Sequence, residues 1–161
     1  MQENTFTATQ AIQTILAPAL GISAVGLLLL SLSNRYSTII NRIRLLNDEK
    51  RKFSKHIGEK GDLAYPDNVR FMSILNQTQE LLFRSKLVRN AILSMQSAIG
   101  LFVITSVMIA VSLFVPADSI RAVPLIIFIG GMISVLIGII FYGMEVYRSF
   151  KIILMEVKGD E

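Results

Sequence analysis

The sequence predicts an all-α integral membrane protein with three transmembrane helices, and three observations carry that expectation. The first is composition: 52% of the 161 residues are hydrophobic and only 17% are charged, with a mean hydropathy of +0.55. The second is where the charges stand. No charged side chain occurs from Ala11 to Ser33, and from Ala91 to Met144 there are only Asp118 and Arg121. A span of the hydrocarbon core takes about 20 apolar residues at about 1.5 Å each, so the first run makes one span and the second is too long for one. The third is punctuation, because Pro116, Ala117, Asp118 and Ser119 divide the longer run in two. Each run is apolar on all faces, with no amphipathic soluble partner to bury it as a core helix would need. Backbone groups in lipid must bond within their own segment, so three runs imply three helices.

The chain has no cysteine, which excludes a disulfide framework, thiol catalysis and thiolate metal sites. Residues 1–10 hold Glu3 and no Lys or Arg, unlike the basic start of a secretory signal, so no cleaved signal is expected.

Orientation follows from the basic residues. Residues 34–90 hold twelve Lys and Arg against six Asp and Glu, whereas residues 1–33 hold one acid and no base. By the positive-inside rule residues 34–90 are cytoplasmic and the N-terminus is outside. The third span then returns the C-terminus to the cytoplasm, where Arg148 and Lys151 follow its end.

Taken in order, the first helix is expected to begin near Thr9, with Thr5, Thr7 and Thr9 as caps and a modest kink at Pro18. Beyond Ser33 it becomes amphipathic and meets no breaker before Gly58. Ile39, Ile43, Leu46, Phe53 and Ile57 form a heptad-like stripe interrupted by Lys50. Gly58, Gly61, Asp62, Pro66, Asp67 and Asn68 mark a turn. Asp67 is placed as the cap of a second amphipathic helix running to about Asn90, with the stripe Phe71, Ile74, Thr78, Leu81, Ser85, Val88 and Ile92. Matched arms and facing stripes predict an antiparallel helical hairpin in the cytoplasm, with its tip at about 58–66. The alternative is a pair of helices lying on anionic lipid; the narrow seams favour the hairpin. The second span, Ala91–Val115, continues that helix, a short external turn covers 116–122, and Pro124 suits the first turn of the third span, with Asp118 or Ser119 as cap. The third span ends near Gly143 and continues as a helical extension to about Val157. The chain thus divides into 1–33, 34–90, 91–143 and 144–161.

Four groups of residues are candidates for function. Asn34-Arg35 recurs as Asn41-Arg42, with Arg44 beside it, and seven residues place Arg35 and Arg42 on one face. Such a face binds lipid phosphate or rings the mouth of an oligomeric pore; ordinary anchoring by snorkelling side chains is the plainer reading. Glu145 ends the third span at the depth of Arg35 and Arg89, so it is expected to pair with one of them, since an acid at that depth rarely stays unpaired. Gly130, Ser134 and Gly138 on the third span, and Ala17, Gly21, Ala24 and Ser31 on the first, have the small-residue spacing that lets helices approach. Span two carries Ser94, Ser97, Thr105, Ser106 and Ser112, of which Ser94, Thr105 and Ser112 share a side. They could line a pore, or bond their own helix carbonyls, which is the commoner case. His56 lacks companion ligands for a metal and reads as a solvated side chain. No phosphate-binding glycine loop and no nucleophile–base arrangement occurs, so neither cofactor nor catalysis is expected. The lack of ionisable side chains within the spans speaks against proton-driven transport.

The run Ala17–Lys50, APALGISAVGLLLLSLSNRYSTIINRIRLLNDEK, resembles a bacterial membrane-protein family catalogued as domain of unknown function 2721. The likeness lies in the Ala-Pro near the top of span one, the leucine-rich span, then Asn34-Arg35 and the Arg42-Ile43-Arg44 pattern. It implies a bacterial cytoplasmic (inner) membrane location and brings no activity.

The functional expectation is a non-enzymatic, homo-oligomeric membrane protein, channel-like, with a cytoplasmic helical arm. Three spans alone cannot enclose a water path, which is why the oligomer is invoked. The alternative is a membrane-anchored scaffold or regulatory subunit that docks a cytoplasmic partner through the hairpin. The expected partners are the bilayer, anionic lipid head groups and further copies of the chain, with no nucleic acid.

Overall fold

The computed structural model describes the backbone of residues 8–60, 65–114 and 122–158, and side chains of 13–55, 68–112 and 122–149. Among them the chain is all helix: α1 spans Ala8–Lys60, α2 spans Tyr65–Phe114 and α3 spans Val123–Lys158. Each contains a stretch long and apolar enough to cross a membrane.

The boundaries follow from local chemistry. α1 opens at Ala8, so Thr9 lies inside it, while Thr5 and Thr7 fall outside the described residues. It continues unbroken through Pro18 and past Gly58 to Lys60. A glycine that near a helix end costs only about 1 kcal/mol relative to alanine. The expected cap at Asp67 is corrected: α2 begins two residues earlier, at Tyr65. Pro66 explains the earlier start, because its fixed φ and missing N–H suit the first helical turn. Pro124 has the same place in α3, one residue after Val123. Asp118 and Ser119 lie outside the described residues.

α2 is the middle helix and packs on both α1 and α3. Its contact with α1 uses the stripes read from the sequence. Ile39, Ile43 and Leu46 are buried on α1, and Ile74, Leu81, Ser85 and Val88 on α2. Phe53, Phe71, Thr78 and Ile92 are half-buried. An exposed ion pair, Arg70 Nε to Glu49 Oε1 at 2.9 Å, joins the same two helices further along.

A second stripe on α2 faces α3. Arg84, Leu87 and Ala91 follow one another at three-four spacing, so they share a face. Opposite them, a Cβ on Gly138 would lie 3.2 Å from Met95 and 3.3 Å from the Ala91 carbonyl oxygen. Ser134 Oγ donates a 2.8 Å hydrogen bond to the Ser94 carbonyl. Gly131 lies against the Phe102 ring and Glu145 against Arg84, so the contact moves up α3 as it moves down α2.

Phe102 is the keystone of the apolar part. Gly21 of α1 lies against its Cε2 and Cδ2 edge and Gly131 of α3 against its Cε1 and Cδ1 edge. The ring also tilts against Phe128, with centroids 5.4 Å apart. In lipid there is little hydrophobic gain from bringing helices together, so close packing of this kind is what holds them. The faces turned away from the bundle stay apolar, including Leu20 and Leu27 on α1, Val107 on α2, and Ile126 and Leu136 on α3.

Candidate functional site

One acid gathers all three helices. Glu145 stands on α3 past the apolar stretch and its side chain is 0% exposed. Arg35 of α1 places Nε 2.8 Å from Oε2. Arg84 of α2 donates to Oε1 from Nε at 3.1 Å and from Nη2 at 2.9 Å. Ser149, one turn further along α3, donates to the same oxygen at 3.0 Å. Oε1 is therefore fully satisfied. Oε2 is different: the Arg35 nitrogen is close enough to pair with its charge, yet no N–H is aimed at it well enough to count as a hydrogen bond. Burial of a carboxylate without compensating cations would cost several kcal/mol, so the two arginines are what permit it here.

The arginines are themselves held. The Arg35 guanidinium lies over the Tyr142 ring, 5.6 Å from its centroid. Tyr142, Glu145 and Ser149 fall on one face of α3 at three-four spacing, so α3 supplies the aromatic, the acid and the hydroxyl from one strip. Beside it, Arg148 stacks on Phe83 of α2 at 4.2 Å. Arg35 remains one-third exposed and Arg84 about one-quarter. Two cations around one anion leave the cluster with an excess positive charge.

The sequence-derived candidates divide sharply. Arg35 and Glu145 meet. Arg89 does not join them: it is exposed, and Arg84 takes the place expected of it. The reason is helical phase, since five residues turn the side chain well away from the α3 face. Asn34, Asn41, Arg42 and Arg44 are exposed and make no ion pair among the described residues. Of the packing candidates, Gly21 and Gly138 lie in tight contacts, Ser134 is bonded to Ser94, and a Cβ on Gly130 would meet, among the described residues, only Leu101, at 3.9 Å. Ala24 is exposed. Gly131, which carries the closest approach, is not among those candidates.

Four of the five hydroxyls of span two turn to the backbone. Thr105 is 2% exposed and donates to the Leu101 carbonyl at 2.8 Å. Ser112 bonds the Ile109 carbonyl at 2.7 Å, and Ser97 and Ser106 bond Leu93 and Phe102 in the same way. Ser94 is half-buried. Among the described residues no group of three His, Asp or Glu could hold a metal ion; the His56 side chain falls outside them.

A family model described as "Protein of unknown function (DUF2721)" matches residues 15–155. The chain belongs to this family. The match spans all three helices and takes in Arg35, Arg84, Glu145 and Ser149, so the charge cluster lies wholly within the DUF2721 region. No curated protein and no solved structure matches this DUF2721 chain.

Proposed function

We propose that this protein is a non-enzymatic, membrane-anchored scaffold or regulatory subunit whose helical arm docks a soluble cytoplasmic partner and ties it rigidly to the spans. In this reading the N-terminus is outside and residues 34–90 and the C-terminus are in the cytoplasm of a bacterium, as the twelve bases of that segment favour. The arm is an antiparallel hairpin projecting from the inner membrane. That geometry is supported by the order of contacts: Gly21 lies by Phe102 and Glu49 by Arg70, so residue numbers rise on α1 as they fall on α2.

The observation that carries the reading is continuity through a locked layer. α1 and α2 run unbroken for 53 and 50 residues. Where each leaves its apolar stretch, Arg35 and Arg84 are fastened to one buried acid on α3. An arm built this way cannot swing freely on its anchor, so a partner bound to it is coupled to the spans. Leu45, Val69 and Met72, all more than half exposed on the arm, offer apolar contact amid the basic side chains. Pull-down from membranes with the intact chain, compared with Leu45→Glu and Met72→Glu variants, tests the reading. Loss of the same soluble protein from both variants supports it; recovery of nothing but the chain itself counts against it.

A channel-like homo-oligomer ranks second, on the exposure of Asn34, Asn41 and Arg42. It is weakened because Thr105 faces its own bundle and the hydroxyls of Ser97, Ser106 and Ser112 are bonded to their own helix. Absence of ion flux from liposomes holding the purified protein, across several ions and voltages, would remove it.

A further inference from the structure

Helix α2 packs against both of its neighbours and still leaves one face open along the apolar stretch. On that face stand Leu93, Gln96, Gly100, Val103 and Val107, all exposed. Their spacing is three, four, three and four, the repeat of a coiled-coil seam, whose 3.5-residue period keeps one face toward a partner helix. Gln96 is the anomaly in it. Its carboxamide makes no hydrogen bond among the described residues, whereas the neighbouring Ser97 hydroxyl is satisfied by the Leu93 carbonyl.

Depth makes the anomaly costly. Gly138 packs on Met95 and Gly21 on Phe102, which puts Gln96 level with Leu27 and Leu28 of α1 and Leu136 and Ile137 of α3. All four are exposed and apolar. Gln96 lies seven residues inside Arg89, about 10 Å along the helix, too far for a short amide to snorkel to water. An amide with two donors and an acceptor, set among lipid-facing leucines, needs a polar partner in the bilayer.

We propose that this face of α2 is a self-association seam, on which Gln96 of one copy hydrogen-bonds Gln96 of a second copy. A second copy is the fitting occupant because copies inserted in the same orientation are related by an axis along the membrane normal. The same residue then arrives at the same depth. A carboxamide is self-complementary, able to give and to accept in one pair. A Cβ on Gly100, one turn along, would meet nothing within 4 Å, so the two backbones can close up there. The polar side chain sets the register of an otherwise apolar seam, as a single polar seam position does in soluble coiled coils. The proposal rests on the chain spanning a bilayer and not on the arm docking anything.

The lack of native cysteine allows a direct test. Single-cysteine variants Leu93→Cys and Val107→Cys on the seam, and Leu20→Cys and Ile133→Cys on the outer faces of α1 and α3, are oxidised in vesicles at high lipid dilution. The seam variants are expected to give cross-linked dimers and the outer-face variants not. Adding Gln96→Leu should weaken association about tenfold, and Gln96→Asn should restore part of it. Cross-linking through Leu20→Cys or Ile133→Cys instead, or a chain that stays monomeric in vesicles, overturns the proposal. So does a Gln96→Leu chain that associates as well as the unaltered one. Loss of a different membrane protein on Gln96→Leu, with no dimer of this chain, would assign the seam to that partner and overturn it as well.

Discussion

Gly131 approaches the ring of Phe102 so closely that a Cβ at that position would lie 2.6 Å from Cε1 and 2.8 Å from Cδ1. The ring cannot retreat easily, because Gly21 backs its other edge and Phe128 lies against it. Gly131→Leu is therefore expected to destabilise the bundle by about 1–3 kcal/mol, the usual cost of overpacking. Gly26→Ala, where nothing lies within 4 Å, should be neutral or slightly stabilising, since alanine is the better helix former by up to about 1 kcal/mol. Thermal unfolding of the two variants in the same detergent separates them.

The cluster around Glu145 gives a sharper expectation. Glu145→Ala leaves Arg35 and Arg84 without their shared counter-charge and should cost on the order of 3–5 kcal/mol. A double-mutant cycle between Arg84→Gln and Glu145→Gln should show a coupling of at least about 0.5 kcal/mol. The same cycle with Arg89→Gln should show none, as Arg89 is exposed and makes no ion pair among the described residues. Equal coupling at both positions would contradict the arrangement.

The Glu49–Arg70 pair provides the contrast. Its side chains are 35% and 51% exposed, so water and salt screen it. Arg70→Gln should change stability by less than about 1 kcal/mol. Whatever effect it has should shrink as salt is raised.

Orientation can be read by labelling. With no native cysteine in the way, Ser54→Cys on the arm should react with a membrane-impermeant thiol reagent only from the cytoplasmic side. Ala122→Cys, exposed just before α3, should react only from outside. The reverse pattern would invert the proposed topology.

Replacing Thr105 by valine should matter little. Its hydroxyl serves a carbonyl that the helix already engages, so Thr105→Val is expected to cost less than about 1 kcal/mol by thermal unfolding.

Much of this architecture is legible in residue order because the membrane imposes length and polarity rules that single helices obey alone. The seam of α1 on α2 is readable at Ile39, Ile43, Ile74 and Leu81 since each helix shows one apolar stripe outside its span. The contact of α2 with α3 is harder to read. Within a span every face is apolar, so Ala91, Met95 and Phe102 carry no signature that separates a packed face from a lipid-facing one. That is why spacing picks out Gly130 and Ser134 and passes over Gly131. Arg84 escapes for a related reason: depth alone favours Arg89, and only the recognition that a middle helix needs two stripes would put Arg84 beside Leu87 and Ala91. Ser149 was open to spacing, being four residues past Glu145 on the same helix; the Arg148–Phe83 contact depends on side-chain reach across helices, which spacing does not encode.

The position of Glu145 has a consequence for biogenesis. It lies on α3, which leaves the ribosome after α1 and α2, and both arginines that it pairs with lie on those two helices. Until α3 is inserted, α1 and α2 can meet along their stripes but hold two cations at the edge of the bilayer with no acid between them. Assembly is therefore incomplete until synthesis has passed Glu145. A chain arrested before that point is marked as unfinished by its own uncompensated charge.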